Sequence, residues 1–77
     1  NGPVSAFFNA IAPMLEGTYE LVNYNEHALS ETATAEAAAY IQLKNQDGVL
    51  HYGVGKDSNI DNASIRAIMS ALNGFDH

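Results

Sequence analysis

The chain has 77 residues, 47% of them hydrophobic and none of them cysteine, and its net charge is −6. That length holds one small domain near the lower limit for a self-supporting core. The missing thiols exclude disulfides and fit a reducing, cytoplasmic setting. Only Lys44, Lys56 and Arg66 are basic, and they lie far apart. This excludes a phosphate-tracking surface for nucleic acid and an electrostatic patch for an anionic membrane. No apolar run approaches the roughly 20 residues of a bilayer span.

The chain opens at Asn1-Gly2-Pro3, without methionine and already at a helix start, as expected of a piece of a longer protein. Over residues 3–15, Val4, Phe7, Phe8, Ile11, Met14 and Leu15 recur at the spacing of one helical face. Pro3 suits the first helical position, whereas Pro13 removes a backbone donor and should kink or end the last turn. Residues 18–27 alternate, with Tyr19, Leu21 and Asn23 facing one way and Glu20, Val22 and Tyr24 the other, which predicts a strand.

Five alanines then fill seven positions, 33–39. Alanine is the best helix former, but the run leads into a second alternating segment. Ala37, Ala39, Ile41 and Leu43 share one face, and Ala38, Tyr40, Gln42 and Lys44 the other. The hairpin signal Asn45-Gln46-Asp47-Gly48 follows, and then the β-rich run 49–55. A hairpin partner must be extended, so residues 35–45 are read as a strand against propensity. Two uses of such small side chains stand open: plain helix–sheet packing, or room for a ligand wedged between helix and sheet. The last element covers 61–73, with Ile65, Ile68, Met69 and Leu72 as its stripe. Ser58-Asn59-Ile60-Asp61 resembles a capping box, and Asn73-Gly74 a C-cap. The fold class is therefore α+β: helix, three antiparallel strands, helix.

The chemistry-bearing residues are sparse. Glu26 and His27 have the types of an acid–base pair, but neighbours along a strand point to opposite faces. His51 reads as an exposed or half-buried strand residue and His77 as a frayed terminus. Three histidines without paired spacing do not make a zinc site, so no metal is expected in this segment. Gly53-Val54-Gly55-Lys56 lacks the remaining glycine and the Lys-Ser/Thr pair of a phosphate loop. Asp57, Asp61 and the glutamates read as a solvated acidic surface.

Five stretches in this order, NGPVSAF, YNEHAL, ATAEAAAY, YGVG and NASIRAIMSALN, resemble the C-terminal regulatory domain of 2-isopropylmalate synthase, most of all in its long form. The resemblance covers residues 1–73, and citramalate and homocitrate synthases are relatives of that family. It implies a cytosolic homodimer that condenses acetyl-CoA with 3-methyl-2-oxobutanoate. The chemistry and the divalent metal of such an enzyme lie in a TIM barrel absent from this segment. It also implies a regulatory domain of two units, each of three strands and a helix, with leucine as feedback inhibitor. The present chain would supply the helix that closes the first unit and the whole second unit.

Carried over by motif, Gly2, Pro3, Val4 and Ser5 match the turn and first helical residues that contact leucine. Leu21 and Tyr24 match pocket positions on the first strand, and Ala28 and Ala35 match its small-residue wall. Ile60 and Ala63 match the entry to the last helix. On this resemblance Ala35, with Ala33, is small to leave room for the leucine side chain. Ser5 stands where the family has alanine, and the hairpin at 44–48 is shorter than in some relatives. A free helix N-terminus offers N–H groups and a positive dipole end to a carboxylate. Burying an isobutyl group gives about 1.5–3 kcal/mol. Three other readings remain: a structural dimerisation module without effector, an isoleucine-sensing domain of a citramalate synthase, and an enzyme acting through His27.

Overall fold

The computed structural model describes residues 2–28 and 36–75; the expectations placed on Ala33, Ala35 and His77 lie outside them. Helix α1 spans Gly2–Ile11, and Pro13 turns the chain into a short 3-10 helix, Ala12–Met14. Strands β1 (Tyr19–Ala28), β2 (Ala37–Asn45) and β3 (Leu50–Asp57) follow, and α2 (Ile60–Asn73) closes the order. The sheet is antiparallel with strand order β1-β2-β3, so the α+β class and the element order read from the sequence hold.

The β2–β3 hairpin turns where Asp47-Gly48 signals it. Gly48 N–H donates to the Asn45 carbonyl at 3.0 Å, and Asn45 Oδ1 accepts from the N–H groups of Asp47 and Val49, both at 2.9 Å. Gly48 takes φ +85°, a left-handed conformation that costs glycine nothing.

One face of the sheet carries both helices. Ala39, Ile41 and Leu43 of β2 and Gly53 and Gly55 of β3 are buried there, together with Val4, Phe8, Ala63, Ala67, Ile68 and Ala71. Residues paired across an antiparallel ladder share a face, so the ladder Tyr40↔Val54, Gln42↔Tyr52 and Lys44↔Leu50 defines the other, outer face. There Tyr40, Leu50, Tyr52 and Val54 stay exposed.

The bulky stripe expected on α2 forms only part of the face that it buries: Ile68 is sealed and Leu72 packs against the core. The residues sealed against β3 are Ala63, Ala67 and Ala71, four apart, with Ser64 and Ile68 beside them, whereas Met69 is exposed. A side-chain carbon at Gly53 would strike the Ala67 carbonyl oxygen and Ala71 nitrogen; at Gly55 it would strike Ala63 and Ala67 backbone. Glycine on the strand and alanine on the helix let the two backbones nearly touch, so small side chains win the buried face. Met14 also leaves its predicted stripe. It sits in the 3-10 turn after Pro13 and is exposed.

The cap of α2 is simpler than a capping box beginning at Ser58. Asn59 is the N-cap, and its Oδ1 accepts from Asp61 N–H at 2.8 Å and Asn62 N–H at 3.3 Å. At the other end Gly74 holds a right-handed φ of −64°. Its glycine is needed for space: a Cβ there would lie 2.5 Å from His51 Nδ1.

Candidate functional site

The alternation of β1 breaks at one residue. Leu21 pairs with Leu43, but Asn23 pairs with Gln42, which leaves Val22 as a bulge. One extra residue exchanges the faces of everything after it. The sequence places Leu21 and Tyr24 on opposite faces; the bulge brings them onto the same one, with Tyr24 opposite Ile41 and Glu26 opposite Ala39. Asn23, expected beside Leu21, goes to the outer face. His27 pairs with Ala38 on that outer face, its ring edge-on to Tyr40 at 5.6 Å. Glu26 and His27 thus point apart, and no acid–base pair forms between them.

Two depressions run along the β1 edge. Between α1 and β1 an open groove of about 350 Å³ is lined by Ser5, Phe8, Asn9, Tyr19, Glu20 and Leu21. Next to it, Leu21, Val22, Asn23 and Tyr24 line a hollow of about 270 Å³. Both sizes are of the order that holds a small molecule.

The expected effector contacts fall into four overlapping groups. Ser5 and Leu21 share the groove, and Leu21 and Tyr24 the hollow. Val4 and Ala63 are sealed, at 1% and 0% exposure, so they back the wall instead of facing an open space. Ile60, Leu21 and Tyr24 are partly buried against the same core cluster. The side chains of Gly2, Pro3 and Ala28, and all of Ala35, lie outside the description.

The C-terminal ends of the two helices lie together. Met14, Leu15 and Glu16, following α1, share a cleft with Met69, Leu72 and Asn73 at the end of α2. Phe75 locks that end, 5.1 Å from the Tyr19 ring and 4.4 Å from His51. The N-terminus of α1 therefore points away from this end and along β1.

Two polar constellations stand near the helix-bearing face. Tyr24 Oη donates to Glu26 Oε1 at 2.8 Å. This bond, then partial burial, then the carboxylate charge hold the phenol above its ordinary pKa of 10.0. Sequence reasoning missed Glu26 as a partner of Tyr24, although a spacing of two on a strand places both on one face. At the β3–α2 junction Asp57 accepts from Asn59 N–H at 3.0 Å and pairs with Arg66 Nε at 3.3 Å. The first contact, chiefly, and Arg66 as well lower the carboxyl below its ordinary 3.8. Lys56, expected to miss a phosphate-loop role, pairs with Ala38 on the outer face, while Gly53 and Gly55 face α2. Among the described residues no three His, Asp or Glu side chains gather into a metal-binding group, and no helix is long and apolar enough to cross a membrane.

Residues 1–75 match the family model of the LeuA allosteric (dimerisation) domain. Similar chains include the 2-isopropylmalate synthases of Clostridium acetobutylicum (48% identical over 73 residues), Thermobifida fusca (47% over 73) and Saccharomyces cerevisiae (34% over 82). The first two alignments cover 95% of this chain and the yeast one all of it, but only 12–13% of each relative. With the match running through α1, the sheet and α2, the chain belongs to the LeuA allosteric (dimerisation) domain family.

Proposed function

We propose that this chain is the non-catalytic regulatory and dimerisation segment of a 2-isopropylmalate synthase, and that it binds leucine along the α1–β1 edge as feedback inhibitor. In this reading it is the second half of the regulatory domain, and the acyl-transfer barrel, which joins acetyl-CoA to 3-methyl-2-oxobutanoate, lies elsewhere in the parent. The observation that carries the reading is the Val22 bulge, which puts Leu21 and Tyr24 on one wall beside a groove that Ser5 enters. Leu21 and Phe8 offer the isobutyl group apolar cover, and the N-terminus of α1 offers the carboxylate the positive end of the helix dipole. Feedback then requires two global states that bind leucine unequally.

A homodimer accompanies this reading. The family description names dimerisation, and Tyr40, Leu50, Tyr52 and Val54 leave apolar area uncovered on the outer face. Phe8 is already buried within the chain, so it is not available to a partner.

Calorimetry on the full-length parent tests the proposal. Saturable leucine binding, tighter than isoleucine, is expected. Absence of any saturable binding would favour a purely structural dimerisation module, and tighter isoleucine binding would favour the citramalate synthase relative.

A further inference from the structure

We propose that Asn73 is a site of slow self-modification: the Gly74 nitrogen displaces its side-chain amide at a rate set by opening of the last turn of α2. Asn73 and Asn1 are the asparagines of the sequence that precede glycine, and Asn73 is exposed at the end of α2. A following glycine leaves the main-chain nitrogen unscreened, because it has no Cβ and its backbone turns freely. The other asparagines precede Ala, Tyr, Glu, Gln or Ile, whose side chains crowd that approach.

The step balances with water alone. The Gly74 nitrogen gives its proton to solvent and attacks Asn73 Cγ. The C–N bond of the side-chain amide breaks, ammonia leaves, and a cyclic imide remains. Water then opens the ring at either carbonyl. One opening gives aspartate; the other gives isoaspartate, in which the main chain runs through the former side chain. Both products put a carboxylate where a neutral amide stood.

The fold sets when this happens. Gly74 N–H donates to the Ala71 carbonyl at 3.2 Å and to that of Leu72, and the residue holds a helical φ of −64° and ψ of −20°. A nitrogen committed to the preceding turn cannot reach Cγ, so the attack waits until that turn opens. Phe75 governs the opening. Its N–H donates to the Leu72 carbonyl at 3.0 Å, and its ring lies 5.1 Å from that of Tyr19 and 4.4 Å from that of His51. The residue after Gly74 is thereby tied to β1 and β3. The product acts back on the same place. Asn73 and Glu16 line one cleft, so a carboxylate at position 73 adds a like charge there, at the negative end of the α2 dipole.

The test incubates the full-length parent beside a synthetic peptide of residues 69–77 and follows loss of the Asn73 amide by mass spectrometry of proteolytic fragments. Conversion in the parent should be measurable but about 10-fold slower than in the peptide, the ratio set by an opening free energy of about 1.4 kcal/mol. Phe75→Ala should bring the parent close to the peptide rate, and Phe75→Leu, which keeps an apolar side chain but loses the ring contacts, should fall between. Asn59→Ala weakens α2 at its other end and should leave the rate near that of wild type, which separates loss of the Phe75 contacts from a general loss of stability. An Asn73 still fully amidated in the parent once the peptide has converted would overturn the site. Equal rates in wild type and peptide, unchanged rates in both Phe75 variants, or the same acceleration in Asn59→Ala would each overturn the control by Phe75.

Discussion

Over β3, α2 lies so close that Gly53 and Gly55 have no room for a methyl group; over β1, α1 stands off and leaves an open groove of about 350 Å³. The first contact is made by glycine against Ala63, Ala67 and Ala71. The second is made by half-buried side chains such as Ser5, Tyr19 and Leu21, beside a bulged edge strand. Close backbone contact cannot shift without clashes or voids, because packed interiors are not continuously deformable. A loosely covered edge has few such constraints, so the same small domain divides into a rigid part and a receptive one.

The largest effect should come from breaking the rigid part. Gly55→Val drives a branched side chain into α2 backbone, which has no rotamer to yield, so a loss of at least about 3 kcal/mol is expected. Urea unfolding measures it, and a loss under about 1 kcal/mol would show that α2 rides higher on the sheet than described.

The receptive side should respond differently. Leu21→Ala removes a half-buried groove wall, so stability should fall by only about 1–2 kcal/mol, below the usual range for a sealed leucine. The leucine inhibition curve of the parent should nonetheless shift strongly. An unshifted curve in a folded variant would remove Leu21 from the effector site.

Two smaller changes refine the α2 side. Asn59→Ala deletes the cap of Asp61 and Asn62 and should cost about 1 kcal/mol in thermal unfolding. Asp57, beside it, has its pKa lowered by Asn59 N–H and Arg66. Its contribution to stability is therefore fully present above the ordinary value of 3.8 and lost as pH falls through the lower folded value. Asp57→Asn should flatten that acid limb of the stability–pH curve; an identical limb in both proteins would contradict the assignment.

The smallest effect should have the opposite sign. Ser64 Oγ is buried without a hydrogen-bond partner, a state that is costly in an apolar setting. Ser64→Ala should leave the melting temperature unchanged or raise it slightly, and a clear drop would reveal a partner for the hydroxyl.

How far each feature was legible in the sequence follows from the same contrast. Element order, the Asp47-Gly48 turn and the stop at Pro13 are local signals, and all three appear where the sequence puts them. The buried face of α2 is not local. Ile65 and Met69 suggest a bulky stripe, and only the glycines of a strand across the contact favour Ala63, Ala67 and Ala71 instead. The Val22 bulge is likewise invisible, since period-two alternation assumes an unbroken register and β2 supplies the partner that breaks it. The family resemblance groups Leu21 with Tyr24, whereas alternation sets them on opposite faces; the bulge puts both on one face. The Tyr24–Glu26 pair is legible in its spacing of two, which places both side chains on one face of a strand.

Hydrogen–deuterium exchange on the full-length parent, with and without saturating leucine, tests the division most directly. Protection should increase in peptides covering α1 and β1, Gly2–Ile11 and Tyr19–Ala28, while β3 and α2 change little. Protection gained only over Leu50–Asp57 and Ile60–Asn73, with α1 and β1 unaltered, would contradict the placement of the effector on the open side.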